Sequence, residues 1–242
     1  MAEHTVESDS YRLYYWPKLP GRGELVRLIL EDAGVPYLDI ARLPKEAGGG
    51  VERVMEMRRG EVTGLPPYAP PILKVGDLVI AQTAVICDFL GRRFGLVGPS
   101  EKERLAALQL QLTIMDVFAE AHDVHHPVSV TKFYEEQRDE AIEAARAFAP
   151  ERLPAWLAYF ERVAARSPGH GLVGAEIGYV DLSLFQMIEG LRYAFPKAMA
   201  RQSAPRVFAL VERVRARPSL QLYFESGRRL PFAAGPRPPA CE

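Results

Sequence analysis

The chain is short of cysteine, of net charge and of long apolar runs. Cys87 and Cys241 are its two cysteines in 242 residues, which excludes a CxxC redox pair, a zinc ribbon and a disulfide framework, and fits a reducing compartment. Thirty basic side chains against 31 acidic ones leave a formal charge of −1. That removes the simplest electrostatic case for nucleic acid or an anionic membrane surface, and neither is expected as a partner. No apolar run reaches the roughly 18 residues of a membrane span. The opening MAEHTVESDS has neither a basic start nor an apolar stretch, so no secretory signal is read there and a cytoplasmic location is expected. The glycines of 21–23 and 48–50 are not followed by a dinucleotide fingerprint or by GK[ST], so neither is a nucleotide loop. No repeat of about 20–50 residues is present. What the chain does have is 48 % apolar residues, enough at this length for a substantial core in one or two domains.

The first part reads as a small α/β domain. Tyr11–Trp16 is aromatic and bounded by Pro17, Pro20 and Gly21, a strand signal. Leu25, Leu28, Ile29 and Ala33 mark one face of a helix, with Gly34 at its end and Pro36 beyond. A second strand is expected at Tyr37–Leu43, giving a right-handed βαβ unit with parallel strands. The segment 44–69 reads as irregular. Ile72–Val75 and Leu78–Ala81 then flank Gly76-Asp77, suited to a two-residue hairpin turn, and Thr83 is placed to cap a helix carrying Val85, Ile86, Phe89 and Leu90. The order βαβ, irregular segment, ββα is that of a thioredoxin-like domain, and order alone leaves other small α/β folds open.

After Phe94 the stretch GLVGPS marks a linker, and strand signals all but vanish. Apolar positions recur at helical spacing in Leu105–Ala121, Tyr134–Phe148, Leu153–Ala165, Leu182–Ala194 and Val207–Val214. The expected organisation is a thioredoxin-like domain over 11–94 and an all-helical domain over 101–230, with a frayed Pro-rich tail, GPRPPACE.

Several segments carry a resemblance: YRLYYWPKLPGRGELVRLILEDAGVPY, PPILKVGDLVIAQTAVICDFLGRRFGL, AEAHDVHHP and GAEIGYVDLSLF. Together they span roughly residues 11–225 and resemble the cytosolic glutathione S-transferases, in particular tyrosine-type members of a sigma-like bacterial and fungal branch. The resemblance implies a homodimeric cytoplasmic detoxification enzyme. It would conjugate the thiolate of glutathione, a co-substrate, to a small hydrophobic electrophile, with no separate cofactor and no metal. Glutathione-dependent isomerase or peroxidase activity, or a non-catalytic binding role, are the alternatives on the same scaffold.

The resemblance also assigns residues. Tyr11 and Tyr15 reproduce the family's four-residue spacing, which makes Tyr15 the catalytic hydroxyl; Tyr14, facing the other way along a strand, is the runner-up. A free thiol with a pKa near 8.5 is only a few per cent thiolate at about pH 7. One hydrogen bond to the charged sulfur, worth about 1.5–3 kcal/mol, lowers that pKa by about one to two units. No cysteine lies between 1 and 86 and no serine between 11 and 99, which disfavours the branches that use those residues. Arg22 either braces the second domain or faces the glutathione site. Pro71 matches the family's cis-proline, and the residue before it, whose backbone pairs with the cysteinyl part of glutathione, is here Pro70; lacking an N–H, it can supply one of the two usual bonds and not the other.

Gln82 and Thr83 would hold the γ-glutamyl end at a helix N-terminus, and Asp116 would reach its amino group across the dimer. Arg53, Arg58 and Arg59 are candidates for the glycyl carboxylate. Trp16, Leu19, Phe118 and His122 would border the second-substrate cleft, with His125 and His126 beside it. Asp181 fits the capping position of the core helix, where Gly178 removes the hydroxyl half of the reciprocal box.

Overall fold

The computed structural model describes residues 10–60 and 65–232; the amino-terminal segment, Cys241 and the tail GPRPPACE lie outside them. The chain divides into two compact units, one of residues up to Phe94 joined by Pro218–Pro231, the other of Gly95–Arg217 and the residues from Phe232.

The first unit is built on a four-stranded sheet in the order β2-β1-β3-β4, formed by β1 (Tyr11–Tyr14), β2 (Tyr37–Asp39), β3 (Ile72–Val75) and β4 (Leu78–Ala81). β1 and β2 are parallel, with Tyr11 opposite Tyr37, and β3 runs antiparallel to β1, with Ile72 opposite Tyr14. The β3–β4 hairpin closes through Gly76 in the left-handed region at φ 57°, where glycine carries no Cβ penalty. Between β1 and β2 lies α1 (Gly23–Asp32). It ends because Gly34 adopts φ 64°, letting Val35 N–H reach the Leu30 carbonyl and Gly34 N–H the Glu31 carbonyl, the double closure that satisfies a helix's last acceptors.

Both leading strands are shorter than the aromatic and apolar runs suggest. Ile40–Arg42 turns into a single 3₁₀ turn, and the chain leaves the sheet after Tyr14. The segment read as irregular holds a helix, α2 (Val51–Arg58). Its two buried apolar residues, Val54 and Met57, stand three apart and close over Tyr14, Ile40, Ala41 and Ile72. Two such positions in eight residues are too few for a periodicity signal. α3 (Thr83–Arg93) follows β4. α9 (Pro218–Glu225) packs against α1, within the stretch that the sequence reading assigns to the helical domain.

The second unit contains α4 (Glu101–His125), α5 (Arg138–Arg166), α6 (Tyr179–Ala194), α7 (Pro196–Ala200) and α8 (Pro205–Arg215). Ser100 opens α4 with a reciprocal capping box to Glu103. The two periodic runs read on either side of Pro150 form one helix, α5, which carries Pro150 and Pro154 in its interior. Proline removes local ladder bonds, but Phe148, Leu153, Leu157 and Phe160 are all buried, so packing on both sides of the prolines holds the helix together. At the centre is α6, with eleven buried residues from Tyr179 to Leu191. Asp181 accepts the Gly178 N–H at 2.7 Å and the Leu172 N–H at 2.8 Å, so the carboxylate half of the box is present and its second oxygen ties down the preceding loop. Burial pushes the Asp181 carboxyl up to about 6, against the pull of those two amides. Among the described residues no helix is long and apolar enough to cross a membrane.

Candidate active site

The turn between β1 and α1 is folded around one side chain. Tyr15 follows the last residue of β1 and is buried. Its Oη accepts the backbone N–H of Arg22 at 2.9 Å. Gly21, at φ 39°, and Gly23 lie so close that a Cβ on the first would overlap the Tyr15 hydroxyl and one on the second its ring. The GRG of 21–23 is therefore a close-approach loop, with glycine required where the backbone meets the ring. Burial raises the Tyr15 phenol above its ordinary value, while the Arg22 and Gly23 amides and the Arg27 guanidinium pull the other way. The hydroxyl is thus protonated at neutral pH, takes an amide on its lone pair, and keeps its proton to donate.

Tyr14 faces the other way. Its ring sits in the apolar cluster with Ile40, Val54, Met57 and Ile72 on the α2 side, as strand alternation requires. Trp16 packs against the same cluster, and Leu19 is about half exposed.

A second feature of the same unit is the start of α3. The Pro70-Pro71 peptide is cis, which leads Pro71 directly into β3. At the far end of the hairpin Gln82 stands at φ 68° and ψ 115°, the one non-glycine residue at positive φ among the described residues. Such a conformation costs of order 1–3 kcal/mol and persists where the surroundings impose it. Gln82 is itself the N-cap residue and makes no side-chain cap. Thr83, expected as the cap, is instead the first helical residue. It is 2 % exposed, and its Oγ1 has no hydrogen-bond partner among the described residues. A buried hydroxyl beside the first N–H groups of a helix is a donor set suited to an anion.

Of the three arginines around α2, Arg53 pairs with Glu56 at 2.7 Å and Arg59 with Glu52 at 2.9 Å. Arg58 has no carboxylate partner among the described residues; its Nε donates to the Tyr68 carbonyl at 3.3 Å, tying α2 to the loop before Pro70.

Beneath Tyr15 lies a group that periodicity alone does not reveal. Arg27 is completely buried, with Nε 2.8 Å from Asp39 and a terminal nitrogen 3.2 Å from Glu24. The guanidinium carbon is 5.8 Å from the Tyr15 ring centroid. Glu24 also accepts the Tyr223 hydroxyl at 3.0 Å. The one sequence signal is the opposite charge of Glu24 and Arg27 at i and i+3, a pattern that more often marks a solvated face.

In the second unit Asp116 is exposed on α4, and Phe118 is half-buried. His122 is exposed and stacks on His126 at 4.8 Å, with Nδ1 3.4 Å from Asp123. Burial lowers the pKa of both His125 and His126. Among the described residues no three His, Cys, Asp or Glu side chains converge on a possible metal position.

Comparison with known proteins bears on both units. A family model described as the glutathione S-transferase C-terminal domain matches residues 122–227. A glutathione S-transferase of Plasmodium falciparum is 25 % identical over 198 residues, covering 79 % of this chain and 84 % of its own. Glutathione S-transferase P 10 of Caenorhabditis elegans is 29 % identical over 216 residues, covering 88 % and 90 %. The solved Pi-class glutathione S-transferase of Onchocerca volvulus superposes with a TM-score of 0.72 at 22 % identity, over 93 % of this chain and 98 % of that one, a likeness of fold. These relatives are protozoan and animal, and they lend no support to the expected sigma-like bacterial and fungal branch. A thioredoxin-like unit, a helical unit matched over 122–227 by the glutathione S-transferase C-terminal domain model, and similarity along most of the chain to named glutathione S-transferases are what this protein shares with that family.

Proposed function

We propose that this protein is a tyrosine-type glutathione transferase in which Tyr15 donates the hydrogen bond that stabilises the glutathione thiolate. The observation that carries the reading is the Arg22 N–H on the Tyr15 oxygen, which fixes the hydroxyl's acceptor side and leaves its proton for the sulfur. The relatives' names agree with the activity, and no finding favours an isomerase, a peroxidase or a non-catalytic role.

In this reading the γ-glutamyl carboxylate occupies the α3 N-terminus, taking the unpartnered Thr83 hydroxyl and the adjacent backbone donors. Pro70 offers its carbonyl to the cysteinyl amide and nothing to the cysteinyl carbonyl. Arg58, the arginine of α2 without a carboxylate partner among the described residues, takes the glycyl carboxylate. Asp116, exposed on α4, would reach the glutathione ammonium from across the dimer, and Arg22 contributes through its backbone. The thiol loses its proton to solvent, and the sulfur lone pair then forms a bond to an electrophilic carbon as the carbon's leaving group departs with its own electron pair. Glutathione is a co-substrate and no further cofactor is needed for this step. A homodimer in the cytoplasm belongs to the same reading.

Tyr15→Phe tests it with a chlorinated nitroaromatic electrophile. Losing a charge-assisted bond of about 1.5–3 kcal/mol predicts turnover lower by about 10- to 100-fold near neutral pH. Unchanged turnover, together with an unchanged pKa of the bound thiol, would sink the assignment. Trp16→Ala, Leu19→Ala, Phe118→Ala and His122→Ala are expected to raise the KM for the electrophile without raising that for glutathione.

A further inference from the structure

We propose that Arg27 is a positioning residue for Tyr15: a fixed positive charge, caged by carboxylates and set under the phenol ring, that makes the hydroxyl a stronger donor. The inference rests on the reading of Tyr15 as the thiolate's partner, but its geometry stands on its own.

Arg27 is the largest fully buried side chain among the described residues. An unpaired guanidinium could not stay there, because an ion taken out of water without compensation is strongly destabilising. The compensation comes from Asp39 on β2 and Glu24 on α1. Glu24 is itself engaged by the Tyr223 hydroxyl of α9 and, at 3.5 Å, by Arg229. Replacing such an arrangement by apolar side chains is often neutral or stabilising, so stability alone gives little reason for it. The cage does, however, stop the guanidinium from moving. One of its terminal nitrogens has no hydrogen-bond partner among the described residues, and the other lies 3.5 Å from the Pro20 carbonyl. That same carbonyl accepts the Glu24 N–H at 2.9 Å, so Arg27 also braces the turn that presents the Arg22 amide to Tyr15.

The charged and polar groups facing Tyr15 are the Arg22 and Gly23 amides, the Arg22 side chain and Arg27; those facing Arg27 are Asp39, Glu24 and Tyr223. In the buried turn the charge is poorly screened, and it favours negative charge on the phenol oxygen. A more acidic phenol is a stronger donor to a thiolate.

The test uses a ring-fluorinated tyrosine at position 15 of the full chain, so that the phenol titrates where the fold survives, followed by fluorine NMR without ligand. Arg27→Gln is expected to move that titration up by about one unit. Asp39→Asn, which keeps the hydrogen bond and removes the counter-charge, is expected to move it down by about half a unit. A purely structural role predicts no such opposition, and shifts of one sign, or no shift, overturn the proposal. Should Arg27→Gln fail to fold, Asp39→Asn decides alone: a downward shift supports the proposal and its absence overturns it. A parallel thiolate titration of bound glutathione separates the two layers. If the phenol shifts while glutathione does not bind, the reading of the site fails and the role of Arg27 toward Tyr15 stands.

Discussion

Two buried helix starts, one in each unit, are finished in opposite ways. At the head of α6 every resource goes to closure: Asp181 accepts two backbone amides, one from the cap residue and one from the loop ahead of it. At the head of α3 closure is withheld. Gln82 is held at positive φ without capping, and the buried Thr83 hydroxyl has no partner among the described residues. A helix N-terminus favours anions; in one unit the protein fills it with its own carboxylate, and in the other, on the proposed function, a carboxylate of glutathione would take that place. The difference separates scaffold from site more sharply than burial does, since both positions are buried.

Asp181→Ala should break the closed side, orphaning two amides at a cost of about 2–4 kcal/mol. Denaturant melts would show it as a fall in midpoint, while glutathione affinity of the folded protein stays unchanged. The pH dependence of the same residue has a definite sign. Its carboxyl titrates near 6 in the folded protein, above the unfolded value of about 3.9, so between those limits the folded state binds more protons. The Asp181 contribution to stability is therefore largest below pH ~4, declines as pH rises and levels off above pH ~6. Melts of wild type and Asp181→Asn across pH 4–7 check this: the wild-type advantage should shrink as pH rises, and a growing advantage would contradict the assignment.

Thr83→Val should sharpen the open side, with effects of opposite sign in two measurements. Glutathione affinity should drop by about 1–1.5 kcal/mol, roughly tenfold, in calorimetry, while stability holds or rises because a partnerless hydroxyl is replaced by a methyl of similar shape. Loss of stability instead would mean that Thr83 is an ordinary structural residue. Smaller contrasts lie on α2. Arg58→Ala should weaken glutathione by about 1 kcal/mol, and Arg53→Ala, which breaks an exposed ion pair, should change stability and binding by less than about 0.5 kcal/mol.

Much of this was legible in the chain. The Gly34-Val-Pro36 stop, the Gly76-Asp77 hairpin and the helical spacing of the second half follow from local chemistry that the tertiary structure did not override. That Tyr14 and Tyr15 face opposite ways also followed, from the alternation of an extended chain, whereas the choice of Tyr15 came from the resemblance. α2 was not legible, since its few apolar residues are set by what Tyr14 and Ile40 need to cover. The union of two helical runs across Pro150 was hidden because burial on both sides outweighs the proline penalty. The inward charge of Arg27 was hidden too: an i, i+3 pair of opposite charges looks the same in sequence whether it faces water or a phenol ring. Thr83 was read both as a cap and as a holder of the γ-glutamyl end; Gln82 takes the cap position instead, which leaves the second role for the binding experiment to decide.

The central claim is that the open α3 start and the Tyr15 hydroxyl belong to one glutathione site, and a crystal structure of the protein with glutathione tests it most directly. The account predicts the γ-glutamyl carboxylate on Thr83 Oγ1 and the backbone N–H groups of the α3 start, with the sulfur in hydrogen-bond contact with Tyr15 Oη. A carboxylate bound elsewhere, with Thr83 Oγ1 still unpartnered, or a sulfur turned away from Tyr15, would contradict it.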